Sequence, residues 1–344
     1  MTAGSHRRVG VDDARGSTRR RLLIALGASA FAVPRASFAQ QQSGKIFRVG
    51  FLTAYSSSAD TDLFESFRQG MRELGYDNGR NIAYETRWAE GKLERLPGLA
   101  AELVGFKPDV MLVANTPSVM AAKKATTTIP IVMVGVGDPV GTGLVDSLAR
   151  PGGNVTGITN IIGEITGKRL ELLKELVPRL TRAAALGQPG DPIFAIQMRH
   201  AAAAARALKV EVFPVEIHSV SEIDRAFETI VKRRADGVLR LGDALTGPGR
   251  QRTIELALKH RLPTICVREA DVEAGFLMSY GPNRFEEFHQ AATYVDKILR
   301  GAKPADLPVQ QPTRFELVIN MKTARALGIK IPNSILVRAN KVIE

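Results

Sequence analysis

The apolar residues of this chain follow two spacings that alternate from one segment to the next. Residues 46–53 are mostly apolar, which predicts a buried strand, and residues 60–75 carry apolar side chains three and four positions apart, which predicts a helix that ends at Gly75. Residues 82–88 alternate between apolar and polar side chains, the period of a half-buried strand. Repeated β–α units of this kind predict a parallel sheet covered by helices.

The second half of the chain repeats this plan. Strands are predicted at residues 183–186, 210–215, 237–241 and 263–267, with helices at residues 163–177, 192–208, 221–232 and 249–260. From Gly275 the chain adds a strand at 276–280, a helix and a last strand at 315–320. Such a return segment is natural if the chain crosses between two lobes more than once. We therefore predict an α/β fold of two doubly wound, Rossmann-like lobes.

Polar residues at the carboxyl ends of the predicted strands are the candidates for a ligand site, because open α/β sheets bind ligands there. The loops that this rule selects are residues 54–60, 114–118, 135–143, 159–162, 242–246 and 279–284. The candidate ligand-binding residues on these loops and after the neighbouring strand are Ser57, Asn115, Thr116, Ser118, Asp138, Thr159, Asn160, Asp243, Glu269, Tyr280 and Asn283.

Two of these loops have competing interpretations. Asn115 to Ser118 could present a helix N-terminus to a carboxylate, or could cap only its own helix. Asp138 could accept a hydrogen bond from a ligand ammonium or hydroxyl group, or could form a turn with Pro139. The glycines at 135 and 137 superficially resemble a dinucleotide fingerprint, but the next glycine is displaced to position 141, so nucleotide binding is not expected.

Catalytic and metal-binding patterns are absent from the sequence. Leu277 stands where a G-x-S-x-G motif around Ser279 would need its first glycine, and the five histidines show no H-x-x-x-H or H-E-x-x-H spacing. Cys266, the single cysteine, has no neighbouring base in the sequence and cannot form an intramolecular disulfide. We therefore expect neither an enzyme nor a bound cofactor or metal.

The formal net charge of +12 raises the question of nucleic-acid binding. Residues 1–39 contain seven arginines and two aspartates, so +5 of that charge lies there and +7 is spread over the rest of the chain. No basic stripe or DNA-binding motif is visible, and nucleic acid is not an expected partner.

The first 39 residues have the organisation of an export signal. Arg19 to Arg21 precede an apolar run at residues 22–33, and Ser37 and Ala39 form a small-x-small cleavage site. The adjacent arginines indicate a twin-arginine signal. The sequence thus predicts a periplasmic protein cleaved near Ala39, without a later membrane span.

Several longer motifs resemble the ABC transporter substrate-binding protein family that includes putative tryptophan and tyrosine transport components. The resemblance covers nearly all of the chain after the signal. Its motifs are residues 48–52 RVGFL, 67–81 with Gly70 and the run Leu74-Gly75-Tyr76, Thr116-Pro117, 138–145 DPVGTGLV, 150–157 RPGGNVTG, 301–308 GAKPADLP and 317–320 LVIN.

The resemblance implies a periplasmic binding protein fold of class I, with three interlobe crossings and a small-molecule ligand held between the lobes. It implies contacts from Thr116, Ser118, Asp138, Thr159, Asn160, Asp243 and Tyr280. It also implies delivery of the ligand, for example an amino acid or an aromatic carboxylate, to a membrane permease that a separate ATPase drives. We expect a monomer with residues 1–39 as the export signal, residues 45–158 plus 277–304 as lobe 1, and residues 159–276 plus 305–344 as lobe 2.

The loops at 186–189 and 241–244 depart from the family pattern, which predicts that the second-lobe half of the pocket has diverged. Two alternatives stay open at the level of sequence. A binding protein that reports ligand occupancy to a membrane receptor would share this fold, and so would an exported α/β enzyme.

Overall fold

The structure, a computed structural model, describes residues 45–245 and 247–344, so the predicted export signal lies outside the described residues. The strands are β1 Phe47–Thr53, β2 Ile82–Trp88, β3 Val110–Ala114, β4 Ile131–Val136, β5 Val155–Thr159, β6 Arg182–Gly187, β7 Glu211–Glu216, β8 Gly237–Arg240, β9 Thr264–Cys266, β10 Met278–Pro282, β11 Phe315–Asn320 and β12 Lys341–Ile343. The α-helices are α1 Ser57–Glu73, α2 Leu96–Gly105, α3 Thr116–Ala125, α4 Ile162–Leu176, α5 Ile193–Leu208, α6 Ile223–Lys232, α7 Arg250–Lys259, α8 Glu269–Ala274, α9 Arg284–Leu299, α10 Met321–Leu327 and α11 Asn333–Leu336. Within the described ranges, no helix is long and apolar enough to cross a membrane.

The strands form two sheets, each the centre of one lobe. The sheet of lobe 1 has the order β2-β1-β3-β4-β5 and is parallel throughout. Strands β3, β4 and β5 are buried along their whole length because helices cover both faces of the sheet. This burial explains why the sequences of β3 and β4 are apolar runs without alternation.

The sheet of lobe 2 has the order β12-β11-β10-β9-β8-β6-β7. It is parallel except that β11 runs antiparallel to β10. The predicted two-lobed, doubly wound α/β fold is therefore confirmed.

Over the described part of the chain, the backbone passes between the two sheets three times. It leaves lobe 1 after Thr159, returns to lobe 1 after Pro282, and enters lobe 2 again before Phe315. The sequence-based lobe boundary at residue 277 is wrong, because β10 pairs with β9 and β11 in the second sheet. The boundary at 305 is also too early, because residues 307–310 still bond to β5. Periodicity identifies a strand but not the sheet that it joins, which explains the error.

Backbone hydrogen bonds tie the first and third crossings together. The Thr159 amide donates to the Gln310 carbonyl at 2.9 Å, and the Gln310 amide donates to the Gly157 carbonyl at 2.9 Å. The second and third crossings meet where Pro282 is paired with Phe315. The three crossings therefore form one connected hinge.

Helix α9 returns to lobe 1 and packs along α1. Gly70 lies at the point of closest approach, where an added Cβ would be 2.7 Å from the His289 carbonyl oxygen and 2.9 Å from Ala292 Cβ. A larger residue would separate the two helices. Gly70 therefore fixes the helix that carries the second crossing against the first helix of the chain.

We expect Gly70→Ala to lower the free energy of unfolding by about 2 kcal/mol, because a methyl group there overpacks a backbone contact. Chemical denaturation followed by circular dichroism measures this loss. Gly98→Ala in α2 is the matched control, since an added Cβ at Gly98 meets nothing within 4 Å. The control should be neutral or slightly stabilising, and an equal loss in both variants would contradict the packing argument.

Candidate functional site

The carboxyl ends of the two sheets face each other across a closed cleft. Gly137, just after β4 in lobe 1, lies against lobe 2, and an added Cβ would be 2.4 Å from Ile193 Cδ1. A second contact joins the loop at Gly91 to lobe 2, where an added Cβ would be 3.4 Å from the Ala244 carbonyl oxygen. The structure is therefore a closed form of the two-lobed fold.

A small cavity of about 20 Å³ remains inside the closed cleft. Residues from both lobes and from the crossings line it, among them Tyr55, Asn160, Ile162, Arg240, Arg268 and Arg284. Since the cavity holds no more than about one water molecule, a ligand has to enter through an open form.

An ion pair joins the two lobes at this cavity. Arg268, which follows β9 in lobe 2, has its Nη2 atom 3.4 Å from Asp60 Oδ1 on α1, and both side chains are buried. Thr53 donates to the other Asp60 oxygen at 3.4 Å, and Asn115 donates to Thr53 at 3.1 Å. The contact between Arg268 and Asp60 forms only when the lobes are closed, so it contributes to closure, whereas the bonds of Thr53 and Asn115 hold Asp60 in place within lobe 1.

Arg284, the first residue of α9, stands at the second crossing. Its guanidinium carbon lies 5.7 Å from the centre of the Tyr55 ring and 5.5 Å from that of Phe288. Its nearest carboxylate is Glu287, with 3.8 Å between Arg284 Nε and Glu287 Oε2. Arg284 Nε and Nη2 are buried and have no hydrogen-bond partner among the described residues.

Three buried groups at the cleft have strongly raised pKa values. Burial raises the pKa of Tyr55 to about 12, against an opposing effect of Arg284 and Arg268. Burial also raises the pKa of Asp191 to about 7, and the nearby charge of Asp243 acts in the same direction. Burial raises the pKa of Glu287 to about 7, although the charge of Arg284 opposes this rise. Burial disfavours the charged form of an acid, so the two carboxyl groups titrate near neutral pH.

Asp243 is the centre of a second buried ion pair, within lobe 2. Arg240 donates from Nη1 to Asp243 Oδ2 at 2.7 Å and from Nη2 to Asp243 Oδ1 at 2.9 Å. Both side chains are 2% exposed. The amides of Gln188 and Leu245 also donate to its oxygens at 2.9 Å. The carboxylate of Asp243 is thus saturated by contacts within the protein.

A family model described as ABC transporter substrate binding protein matches residues 49–343. This chain belongs to that family. A curated relative, the tyrosine-binding protein of Clostridioides difficile strain R20291, is 29% identical over 266 residues, which cover 77% of this chain and 76% of the relative.

Two solved structures are similar to this substrate-binding protein over most of their length. A conserved domain protein from Vibrio cholerae is 29% identical with a TM-score of 0.82, covering 87% of this chain and 100% of that chain. A Streptococcus pneumoniae protein solved in complex with L-Trp is 27% identical with a TM-score of 0.81, covering 86% of this chain and 99% of that chain.

The candidate residues predicted from lobe 1 are brought together at the cleft, mostly as buried groups that bond within the protein. Asn115 accepts from the Ser118 amide and hydroxyl at 3.3 and 2.8 Å, which makes it the cap of α3. Thr116 accepts from the Gly137 amide at 3.2 Å, and Thr159 donates to the Val136 carbonyl at 2.6 Å. Asn160 donates to the Gly135 carbonyl at 2.9 Å and also lines the cavity.

The other predicted residues lie further from the cavity or have partners of their own. Ser57 is exposed, and its amide donates to Glu90 at 3.1 Å. Asp138 has a positive φ of 41° and accepts from the Gly141 amide at 2.8 Å, the geometry of the predicted turn. Glu269 binds Lys341, Tyr280 stacks on Phe315 in lobe 2, and Asn283 caps α9 while it donates to Glu316.

The sequence-based site omitted three residues that line the cavity, Tyr55, Arg268 and Arg284, and the two buried acids beside them, Asp60 and Glu287. Tyr55, Arg268 and Arg284 each stand two residues after a strand, so the strand-end rule that selected their neighbours applied to them too. Their burial in pairs could not be read from the sequence, because the partners are up to 208 positions apart.

We expect Asp243→Asn to lower the free energy of unfolding by about 3–5 kcal/mol, because it leaves the Arg240 charge buried without its counter-ion. Thermal or chemical denaturation measures the change. Glu255→Gln, which removes an exposed partner of Arg252, is the control and should cost less than about 1 kcal/mol. A loss as small as that of the control would assign Asp243 a role other than the structural one.

Asp191 should make stability depend on pH. Its pKa in the folded protein, about 7, lies above its ordinary value of 3.8, so the folded state binds the proton more tightly. The stabilisation is complete at low pH and is lost as the pH rises from about 4 to about 7. We therefore expect that, as the pH rises from about 4 to about 7, the melting temperature of Asp191→Asn falls less than that of the wild type.

Asp62→Asn, on the exposed side of α1, is the control for this experiment and should follow the wild-type curve. Parallel curves for the wild type and Asp191→Asn would show that Asp191 does not titrate in this range.

Proposed function

We propose that this protein is the extracytoplasmic substrate-binding component of an ABC importer. It captures a small organic ligand that carries a carboxylate, such as an amino acid or an aromatic acid, between its two lobes. It then delivers the ligand to a membrane permease that is driven by a separate ATPase. Membership of the substrate-binding family supports this role, and so do the tyrosine-binding and L-Trp-bound relatives.

The observation that carries the ligand class is the unsatisfied Arg284 at the closed cleft. Of the cationic groups that line the cavity, Arg240 binds Asp243 and Arg268 binds Asp60, whereas Arg284 has its nearest carboxylate 3.8 Å away. A planar guanidinium with unused N–H groups favours a carboxylate. The Tyr55 ring beside it would cover an apolar or aromatic part of the ligand.

Lobe 2 offers acceptors for an amine on the same ligand. Gln188 is buried, and its Oε1 has no hydrogen-bond partner among the described residues. Asp191, three residues later, is 4% exposed and receives the Ile193 amide at 3.1 Å. An ammonium group would favour the ionised form of Asp191, whose pKa is near neutral. An amino acid would thus complement both the cation and the acceptors.

Binding would act by shifting the equilibrium between open and closed forms. The ligand enters the open form, and the contacts that need both lobes, such as Arg268 with Asp60, are made on closure. The connected crossings at Thr159, Pro282 and Gln310 supply the hinge. Affinity then reflects how much better the closed form contacts the ligand.

The proposal includes the location and the working state of the protein. The arginine-rich, apolar and small-residue segments of residues 1–39 support export through the twin-arginine route with cleavage near Ala39. The mature protein would work as a monomer, without cofactor, metal or catalysis.

We expect a thermal-shift screen of amino acids, aromatic acids and other small carboxylates to reveal at least one saturable ligand. At a concentration of 100 Kd, the gain of about 2.7 kcal/mol should raise the melting temperature by roughly 5 °C. Matched esters or amides of the best ligand serve as controls, because they lack the carboxylate and should give little shift. A folded protein that responds to no member of a broad library would contradict the proposal.

A further inference from the structure

We propose that Glu287 belongs to the ligand-binding machinery and takes up a proton when a ligand carboxylate binds Arg284. This inference rests on the proposed function. Glu287 lies one helical turn after Arg284 on α9, and its Oε2 atom is 3.8 Å from Arg284 Nε. The side chain is 4% exposed, and neither carboxyl oxygen has a hydrogen-bond partner among the described residues.

The surroundings of Glu287 leave Arg284 as its main electrostatic support. Arg284 lowers the pKa of Glu287, whereas Glu286 on the same helix raises it. His289 and Arg314 line the groove behind Glu287, but His289 Nε2 lies 2.9 Å from Glu73, and Arg314 is exposed. The centre of the Tyr55 ring lies 5.7 Å from the guanidinium carbon of Arg284. Any group that binds the Arg284 guanidinium therefore weakens the electrostatic stabilisation of the ionised form of Glu287.

A ligand carboxylate at the cleft would compete for the same guanidinium. Two carboxylates that share one cation in a desolvated site cannot both stay ionised at little cost, so one of them binds a proton. The ligand can accept hydrogen bonds from Arg284 Nε and Nη2, which are unused in this structure. The proton therefore goes to Glu287, and the ligand charge is balanced by the proton taken from solvent.

A groove at the hinge brings solvent close to Glu287 without passing through the cleft. A groove of about 470 Å³ lies at the hinge and is lined by Glu287 together with Ile158, Pro282 and Gln310, one residue from each crossing. Its other lining residues include the exposed Gln290 and Arg314. A proton can thus arrive from the hinge side while the lobes are closed on the ligand.

The starting state of Glu287 makes this coupling effective near neutral pH. Burial already raises its pKa to about 7, so ionised and neutral forms are both populated. A small change in the local charge then shifts the equilibrium between the ionised and protonated forms of Glu287. Above pH 7 the wild-type protein must first protonate Glu287 in order to bind, which weakens its apparent affinity.

Glu287→Gln tests the inference, because glutamine has nearly the same shape as the protonated side chain. The probes are L-tyrosine, L-tryptophan and the panel carboxylate with the largest thermal shift, titrated by calorimetry at pH 6, 7 and 8. The variant should bind up to about tenfold more tightly than the wild type at pH 8, about twofold more tightly at pH 7, and equally at pH 6. Glu228→Gln, which removes an exposed carboxylate on α6 in lobe 2, is the control and should match the wild type.

Proton counting gives a second readout. Calorimetry in buffers of different ionisation enthalpy should show that the wild type takes up about half a proton more than Glu287→Gln on binding at pH 7. The difference is diagnostic, since Asp191 would release a proton to the same extent in both proteins. If Glu287→Gln does not fold, Asp191→Asn removes that release and should show net proton uptake.

The outcomes separate this inference from the proposed function. Ligand binding with equal affinities and equal proton counts in the wild type and Glu287→Gln would overturn only the role of Glu287. Weaker binding by the variant at every pH would assign Glu287 a purely structural role. A wild-type protein that binds none of the panel would overturn the proposed function and this inference with it.

Discussion

Charge burial between the two lobes is the constraint on which the cleft depends. Removing a guanidinium or a carboxylate from water is costly unless an opposite charge and hydrogen bonds replace the lost hydration. The Arg240–Asp243 and Arg268–Asp60 pairs meet this requirement within the protein. Arg284 meets it only in part, and this incomplete pairing points to a group that the protein itself does not supply.

The topology explains why these charges meet. In each lobe the parallel strands end at the same edge of the sheet, so residues that follow different strands collect there. The chain then places the two edges against each other by crossing at Thr159, Pro282 and Gln310. Because Arg284 begins the helix that follows the second crossing, its position is tied to the hinge as well as to the cleft. Closure and charge compensation are therefore linked through one helix.

Three assignments made from the sequence show the limit of local residue patterns. The strand predicted at residues 276–280, which is β10 at Met278–Pro282 in the structure, was placed in the wrong lobe, since the strand period is the same in either sheet. Asp243 was selected as a ligand contact from its place after β8, yet four donor contacts within the protein occupy its oxygens. Asp138 likewise adopts the turn that was its alternative interpretation, by accepting the Gly141 amide.

The sequence by itself determined the order of strands and helices, the two-lobed fold and the family, because apolar periodicity and local turn motifs are properties of neighbouring residues. Through the rule for strand ends it also selected the carboxyl edge of each sheet, and these two edges face each other in the structure. Only the tertiary structure decided which polar residues are saturated and which are not. That distinction depends on partners such as Asp60 and Arg268, which lie far apart in the chain and meet only when the lobes close.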